Sequence, residues 1–209
     1  MPSSLTLTGR HVRLEPLTLD HVDALAAAAA QERGGYGYTW VPDGVHETEQ
    51  YVRSALDQER SVPFAVRRLA DGAIVGSTRF LDLEVFEHPA PWPPGSGGPA
   101  PSAERSPSVA EIGSTWYGAS AQRTAVNTET KLLLLTHAFD VWGVLRVTLK
   151  TDARNAASRA AIERIGGRFE GVRRAHTMAT DGTVRDSAYF SIVAAEWPAV
   201  RAGLTARLA

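Results

Sequence analysis

The sequence predicts an α/β (α+β) fold built on a mixed sheet. Several short stretches alternate apolar and polar residues, the mark of strands with one buried face. Helical periods fall between only some of them. In the order β-α-α-β-β-β-α-β-α-β-β-α, strands and helices alternate only in the middle, which argues against a doubly wound parallel sheet. The 209 residues, 44% apolar and 22% charged, suffice for one domain spanning 1–209 with its own core.

The first strand is Gly9 to Pro16 (GRHVRLEP), with Val12 and Leu14 facing one way and Arg13 and Glu15 the other. Thr18 then caps a helix to about Gln31, with Leu19, Val22, Leu25 and Ala26 at helical spacing. Its run Ala26 to Ala30 suits close packing. Gly34, Gly35 and Gly37 break that helix. The aromatic segment Tyr36 to Trp40 reads either as a loop held on the core by its rings or as the wall of a substrate pocket. Thr48 to about Arg60 is a second helix, with Tyr51, Val52, Ala55 and Leu56 on one face. Val62 to Leu69 and Ala73 to Leu83 are strands joined at Asp71-Gly72, a hairpin signal, and Gly76 marks a bulge.

Residues 86–108 are rich in Pro, Gly and Ser. A loop this long inside a compact fold is either functional, here a lid over a site, or a mobile surface insertion. Phe86, His88 and Trp92 are its candidate anchors. Beyond it, Glu111 to Tyr117 is a strand, Gly118 to Val126 a small, polar loop, and Asn127 to about Gly143 a helix. Leu145 to Thr151 is the next strand. Asn155 caps the helix Ala156 to Ile165, which Gly166-Gly167 ends. Arg168 to Met178 and Val184 to Val193 form a hairpin across Thr180–Thr183. A last helix runs from Glu196 to Leu208 with Pro198 in its first turn.

Composition excludes several function classes. The net charge of -1 gives no electrostatic case for nucleic acid or a membrane surface. Cysteine is absent, which removes disulfides, thiolate metal sites and a Cys nucleophile. No metal-ligand spacing appears. No run reaches the ~20 apolar residues of a membrane span, and the N-terminus lacks a signal-peptide pattern, so the expected location is cytoplasmic.

The chemistry centres on Glu111 to Gly143. A strand, a loop of small residues and a helix start together present backbone N–H groups and a positive dipole end to an anion, most naturally a pyrophosphate. Other polar residues are weighed beside it. Glu111, opening its strand, is either a base or a surface or sheet-edge residue paired with an arginine. His137 lies between Leu133 and Phe139 on the helix and reads as packed or exposed rather than as a base. Arg168, Arg173, Arg174, His176 and Arg185 make the last hairpin basic, which reads first as a solvated face and second as a patch for an acidic substrate or a second subunit.

At Gln122-Arg123-Thr124-Ala125-Val126-Asn127 the chain resembles the acyl-CoA loop of the GNAT acetyltransferases, and more closely the RimJ/RimL-type branch that acetylates protein N-termini and small amines. The likeness extends through GRHVRLEPL, EIGSTW, VNTETKLLLLTHAF, LKTDARNAASRAAIERIGGRFEG and DGTVRDSAYFSIVAAEWPAV. It implies a GNAT fold: a mostly antiparallel sheet of six to seven strands, two of them splayed in a V around acetyl-CoA. Implied at the donor site are Thr115, Trp116 and Tyr117, the loop residues Gln122, Arg123, Thr124, Ala125, Val126, Asn127 and Thr128, and Asn155 beside the pantetheine. Arg123, Lys131 and Arg159 are candidates for the phosphates. Ala125 stands where the family has its first Gly. If that position requires a positive φ, Ala costs about 1 kcal/mol and weakens CoA binding.

The resemblance also implies roles. Glu111 would take the proton from an attacking amine, and Ser158 would protonate the departing thiolate. A tyrosine serves there in many relatives, and its position is Ile162 here. Both Asn155 and Ser158 also read as helix caps. The acceptor is a primary amine, on a protein N-terminus or a small molecule, with Tyr36, Tyr38, Trp40 and Trp92 as candidate pocket walls. Such proteins are often dimers, which allows a homodimer here. Two rival readings stand: a small-molecule acyltransferase of antibiotic resistance or biosynthesis, and a non-catalytic acyl-CoA binding or sensing protein.

Overall fold

The computed structural model describes residues 5–86 and 106–209. Most of the stretch 86–108, with His88, Trp92 and the lid expected of it, lies outside the described residues. Eight strands form one sheet: β1 Leu7–Thr8, β2 Val12–Pro16, β3 Val62–Arg68, β4 Ile74–Glu84, β5 Val109–Tyr117, β6 Arg146–Asp152, β7 Arg168–Met178 and β8 Val184–Val193. Their order is β1-β2-β3-β4-β5-β6-β8-β7. Every neighbouring pair is antiparallel except β5 with β6.

The count exceeds the expected six to seven because β1 is a separate strand of two residues, too short to alternate visibly. The chain turns at Gly9 to His11 rather than running straight from Gly9, and Gly9 N–H donates to Val12 O at 2.9 Å. The expected bulge near Gly76 is present: Val66 pairs with Gly76 but Arg67 with Ile74, so Val75 is the extra residue.

Five α-helices cover the two faces: α1 Val22–Ala29, α2 Gly44–Asp57, α3 Ala125–Thr136, α4 Ala156–Arg164 and α5 Trp197–Ala206. Helix α1 follows a 3-10 turn at Leu19–His21 capped by Thr18. Helix α2 begins four residues before the expected Thr48. Asp43 caps it, and the Glu47 carboxylate reaches back to the Asp43 N–H at 2.9 Å. Helix α3 passes into a π-helical turn, His137–Trp142, which ends on Gly143 at φ 69°, a left-handed conformation that suits glycine.

The two faces bury separate cores. Under α3, α4 and α5 lie Phe64, Phe80, Phe190, Leu134, Leu135 and Leu204. Under α1 and α2 lie Leu25, Ala28, Ala29, Val52, Ala55 and Trp116. The small residues of α1 let it approach both α2 and β4 closely, as the alanine run suggests.

One carboxylate joins α3 to the N-terminal hairpin. Glu129 is 5% exposed, and its oxygens accept from the N–H groups of Arg10 (2.8 Å), His11 (2.6 Å) and Val12 (2.7 Å). A Cβ at Gly9 would lie 2.6 Å from Glu129 Oε2, so glycine there makes room for the carboxylate. Replacing Glu129 by Ala strands three donors at a turn. The expected loss is about 3 kcal/mol of unfolding free energy in a urea titration, and an unchanged midpoint would show that water replaces the carboxylate.

Candidate active site

Strands β5 and β6 pair at only three positions, Val109 with Arg146, Ala110 with Val147 and Glu111 with Thr148. Beyond Glu111 they part: β5 continues against β4, and β6 continues against β8. The sheet is therefore split, and the facing strand edges lie open. Such an edge accepts an extended ligand through its backbone. A cleft of about 1060 Å³ fills the split.

At the mouth, β5 ends at Tyr117 and a 3-10 turn, Ala119–Ala121, leads into the loop before α3. Gln122 Nε2 donates to Tyr117 O at 3.0 Å, which holds the loop to the strand end. Arg123 adopts φ 58°. Thr124 is the helix cap: its Oγ1 donates to Ala121 O at 2.6 Å and accepts from Val126 N at 3.3 Å. The other N–H groups of that first turn have no partner within the helix.

This corrects two expectations. The cap is Thr124, two residues before the end of the expected loop, and Asn127 lies inside the helix, lining the cleft. The strained backbone falls on Arg123, not Ala125. Ala125 is the first helical residue, where alanine is the best helix former, so its presence carries no penalty.

Where the strands part, Glu111 is 3% exposed, and its Oε2 lies 2.8 Å from Lys150 Nζ on β6. Its partner is a lysine in the cleft rather than a surface arginine. Burial raises the Glu111 pKa above the usual carboxylate value, only partly opposed by Lys150. For Lys150, burial pulls the pKa down, but Glu111 and Asp82 outweigh it and hold it above the usual value. Gly113 makes room for this pair, since a Cβ there would sit 2.9 Å from Glu111 Oε1 and 2.8 Å from Leu81 Cδ1. A bulge at Ser114, φ 46°, lies between the paired positions Gly113–Arg79 and Trp116–Ser77.

Thr115, Trp116, Tyr117, Gln122, Arg123, Thr124, Asn127, Thr128 and Ser158 all line the cleft, as do Tyr38 and Trp40. Ser158 stands on α4, its backbone N–H held by Asn155 Oδ1 at 2.9 Å. Five expected residues do not line the cleft, Ala125 at the start of α3 among them. Val126 is core, 2% exposed. Tyr36 is buried under α1, with its hydroxyl donating to Ala29 O at 3.3 Å, because its ring fills the α1–α2 layer. The Asn155 side chain caps α4 and does not line the cleft. Arg159 turns back onto Ala153 O (3.2 Å) and the Phe169 ring, because α4 directs it outward. Trp92 lies outside the described residues. His137 packs between Phe80 and Trp142, and burial lowers its pKa. No metal-holding group of His, Cys, Asp and Glu occurs among the described residues.

Sequence reasoning did not single out the cleft cations Lys150 and Arg79, and it gave Lys131 only as a phosphate candidate. Lys131 is 6% exposed, on the sheet-facing side of α3, with Nζ donating to Thr115 Oγ1 at 2.9 Å. Burial lowers its pKa to about 7. Arg79 on β4 is 5% exposed and lies under α2. The signal for Arg79 is a charged residue inside the run Ile74 to Leu81, a stretch of β4 buried on both faces.

A family model described as Acetyltransferase (GNAT) domain matches residues 11–168, more than half of the chain. The chain belongs to the GNAT acetyltransferase family. Among solved structures, a GCN5-related N-acetyltransferase from Brucella melitensis is 32% identical, with a TM-score of 0.82 over 100% of this chain and 87% of that one. A protein from T. thermophilus, assigned as an acetyltransferase, is 30% identical with a TM-score of 0.76 over 100% and 98%. Mycobacterium smegmatis RimJ in complex with CoA-disulfide is 20% identical, with a TM-score of 0.70 over 99% and 90%, a likeness of fold. No curated protein matches the chain. The split sheet is thus that of a GNAT acetyltransferase, and no helix among its described residues is long and apolar enough to cross a membrane.

The buried Lys131 has a readable consequence. Its folded pKa of about 7 lies below the ordinary 10.5, so the unfolded chain holds more proton between those values. Stability therefore rises as pH climbs through that window, and the full cost of the buried charge is present below it. In Lys131→Met the rise should vanish, and the variant should be more stable at pH 7 by more than about 1 kcal/mol. Denaturant titrations across pH 6 to 10, with buffers spaced about one unit apart, check both.

Proposed function

We propose that this protein is an acetyl-CoA-dependent N-acetyltransferase acting on a primary amine by direct attack in a ternary complex. The observation that carries this reading is the parting of β5 and β6 immediately after a buried carboxylate. An extended thioester arm fits the open strand edges, and an amine entering from the α1–α2 face would meet Glu111. The same reading makes the chain a single domain with 86–108 as an inserted loop, acting in the cytoplasm. RimJ/RimL-type N-terminal acetylation and small-amine acetylation are both compatible with the acceptor side.

The donor fits the residues present. Gln122 to Thr128 would hold the pyrophosphate through the first turn of α3, with Arg123 adding charge. The coenzyme supplies an acetyl thioester. Glu111, directly or through a water, takes a proton from the amine nitrogen, and Lys150 keeps the carboxylate oriented. Ser158 hands a proton to the sulfur. A C–N bond forms, the C–S bond breaks, and the net proton passes from nitrogen to sulfur. Tight packing of Ile162, 7% exposed, keeps water from the same stretch of cleft.

Titration calorimetry with acetyl-CoA tests binding, and thiol release with a panel of amines tests transfer. Binding with no release for any amine would favour a sensing protein instead. Glu111→Gln should lower kcat by about 10²–10⁴-fold with acetyl-CoA affinity kept. Because Glu111 acts deprotonated and its pKa is raised, kcat/KM should climb with pH on a limb lying above pH 4.5, the ordinary carboxylate value. That limb should be absent in Glu111→Gln. A wild-type profile flat down to pH 4.5 would remove Glu111 as the base.

A further inference from the structure

Arg79 is a buried cation without an anionic partner among the described residues. Among the described residues its guanidinium forms no ion pair. Nη1 donates to Gln58 Oε1 at 3.2 Å, the group lies 4.9 Å from the Tyr51 ring centre, and the buried Nε has no hydrogen-bond partner. Burying an arginine on one neutral hydrogen bond is costly, and a structure keeps such a group where something else completes it. The candidates nearby are committed elsewhere. Glu111 is held by Lys150, and the Glu47 carboxylate receives the Asp43 N–H.

The position is specific. Arg79 pairs with Gly113, and Leu81 pairs with Glu111, so the backbone of Arg79 stands two residues along the sheet from that of the base, a shift of ~7 Å by strand geometry. Both side chains project to the α1–α2 face, opposite Thr115 and Lys131 on the α3 face. Arg79 lines the main cleft and also a side cavity of about 380 Å³ that it shares with Trp40, Glu47, Gln50, Tyr51 and Ser54. This is the acceptor side under the reading above, on which the inference rests.

We propose that Arg79 binds an oxyanion of the acceptor, so that the preferred substrate is a primary amine carrying a carboxylate or phosphate a few bonds from its nitrogen. With the anion on Arg79, the amine falls beside Glu111. The aromatic walls Trp40 and Tyr51 cover the spacer between them. Arg79 acts through substrate position and takes no part in proton transfer.

Matched pairs of amines test this: 4-aminobutyrate against its methyl ester, phosphoethanolamine against ethanolamine, and the C-terminally amidated dipeptide Ala-Glu against amidated Ala-Gln. Each is read twice, by kcat/KM for thiol release and by calorimetric binding to the CoA-loaded protein. The anionic member of at least one pair should be preferred tenfold or more on both readouts, and which pair responds distinguishes carboxylate, phosphate and peptide sources. Arg79→Met should bring that preference to within about twofold, while Arg79→Lys keeps part of it. The wild-type pairs decide first, so a poorly folded Arg79→Met leaves the test intact. Equal treatment of both members, a preference that survives in Arg79→Met, or no anionic amine binding at all overturns the inference. A binding preference lost in Arg79→Met without any thiol release would instead uphold it and overturn acetyl transfer.

Discussion

The arrangement depends on a parallel pairing that stops early. A parallel neighbour must be reached by a crossover, and here the crossover between β5 and β6 is α3. Because β5 and β6 meet only at their N-terminal ends, their C-terminal ends diverge at the same edge of the sheet. Helix α3 must start from the end of β5, and α4 must start close to the end of β6. Two helix N-termini therefore stand at the mouth of one gap. In parallel pairs, ligands bind beyond the carboxyl ends of the strands, and here the gap extends that site into the sheet itself.

Opening a sheet costs stability, and the costs are concentrated where the cleft lies. Glu111 and Lys150 neutralise each other at the point of parting. Among the described residues Lys131 and Arg79 do not find such partners, and they stand on opposite faces of the sheet. A core built only for stability would replace these groups with apolar ones. Glu129 is the contrast: it is equally buried, but three backbone N–H groups satisfy it, and it lies away from the cleft. Satisfied buried charge holds the fold together, while unsatisfied buried charge marks where a ligand is expected.

Much of this was legible in the sequence where the signals were local. The hairpin of β7 and β8 follows from the Asp181-Gly182 turn, the end of the π-helical turn after α3 from Gly143, and the start of α4 from Asn155. The loop Gln122–Thr128 announced the family. What was not legible depends on three-dimensional context. Two residues of β1 cannot show a period. The left-handed backbone conformation fell on Arg123 because the helix starts earlier, at Ala125, than the polar run suggested. Arg159 and Tyr36 share the composition of site residues but face away from the cleft, which only packing decides.

The two faces of the split sheet also divide the chemistry. Under the proposed function the donor side is the loop and the first turns of α3 and α4, made of backbone groups, a cap and small polar side chains. Under the same reading the acceptor side is β4, α2, the segment Tyr38 to Trp40 and the point where β5 and β6 part, made of a cation, the Glu111–Lys150 ion pair and rings. Only the thioester and the amine need meet through the gap. Changes in α2 or in Trp40 and Arg79 can therefore alter which amine fits without disturbing the loop before α3. A fold partitioned in this way can keep one donor while its acceptor changes. Under the proposed function, α2 and residues 36–40 are then where the identity of the amine is encoded.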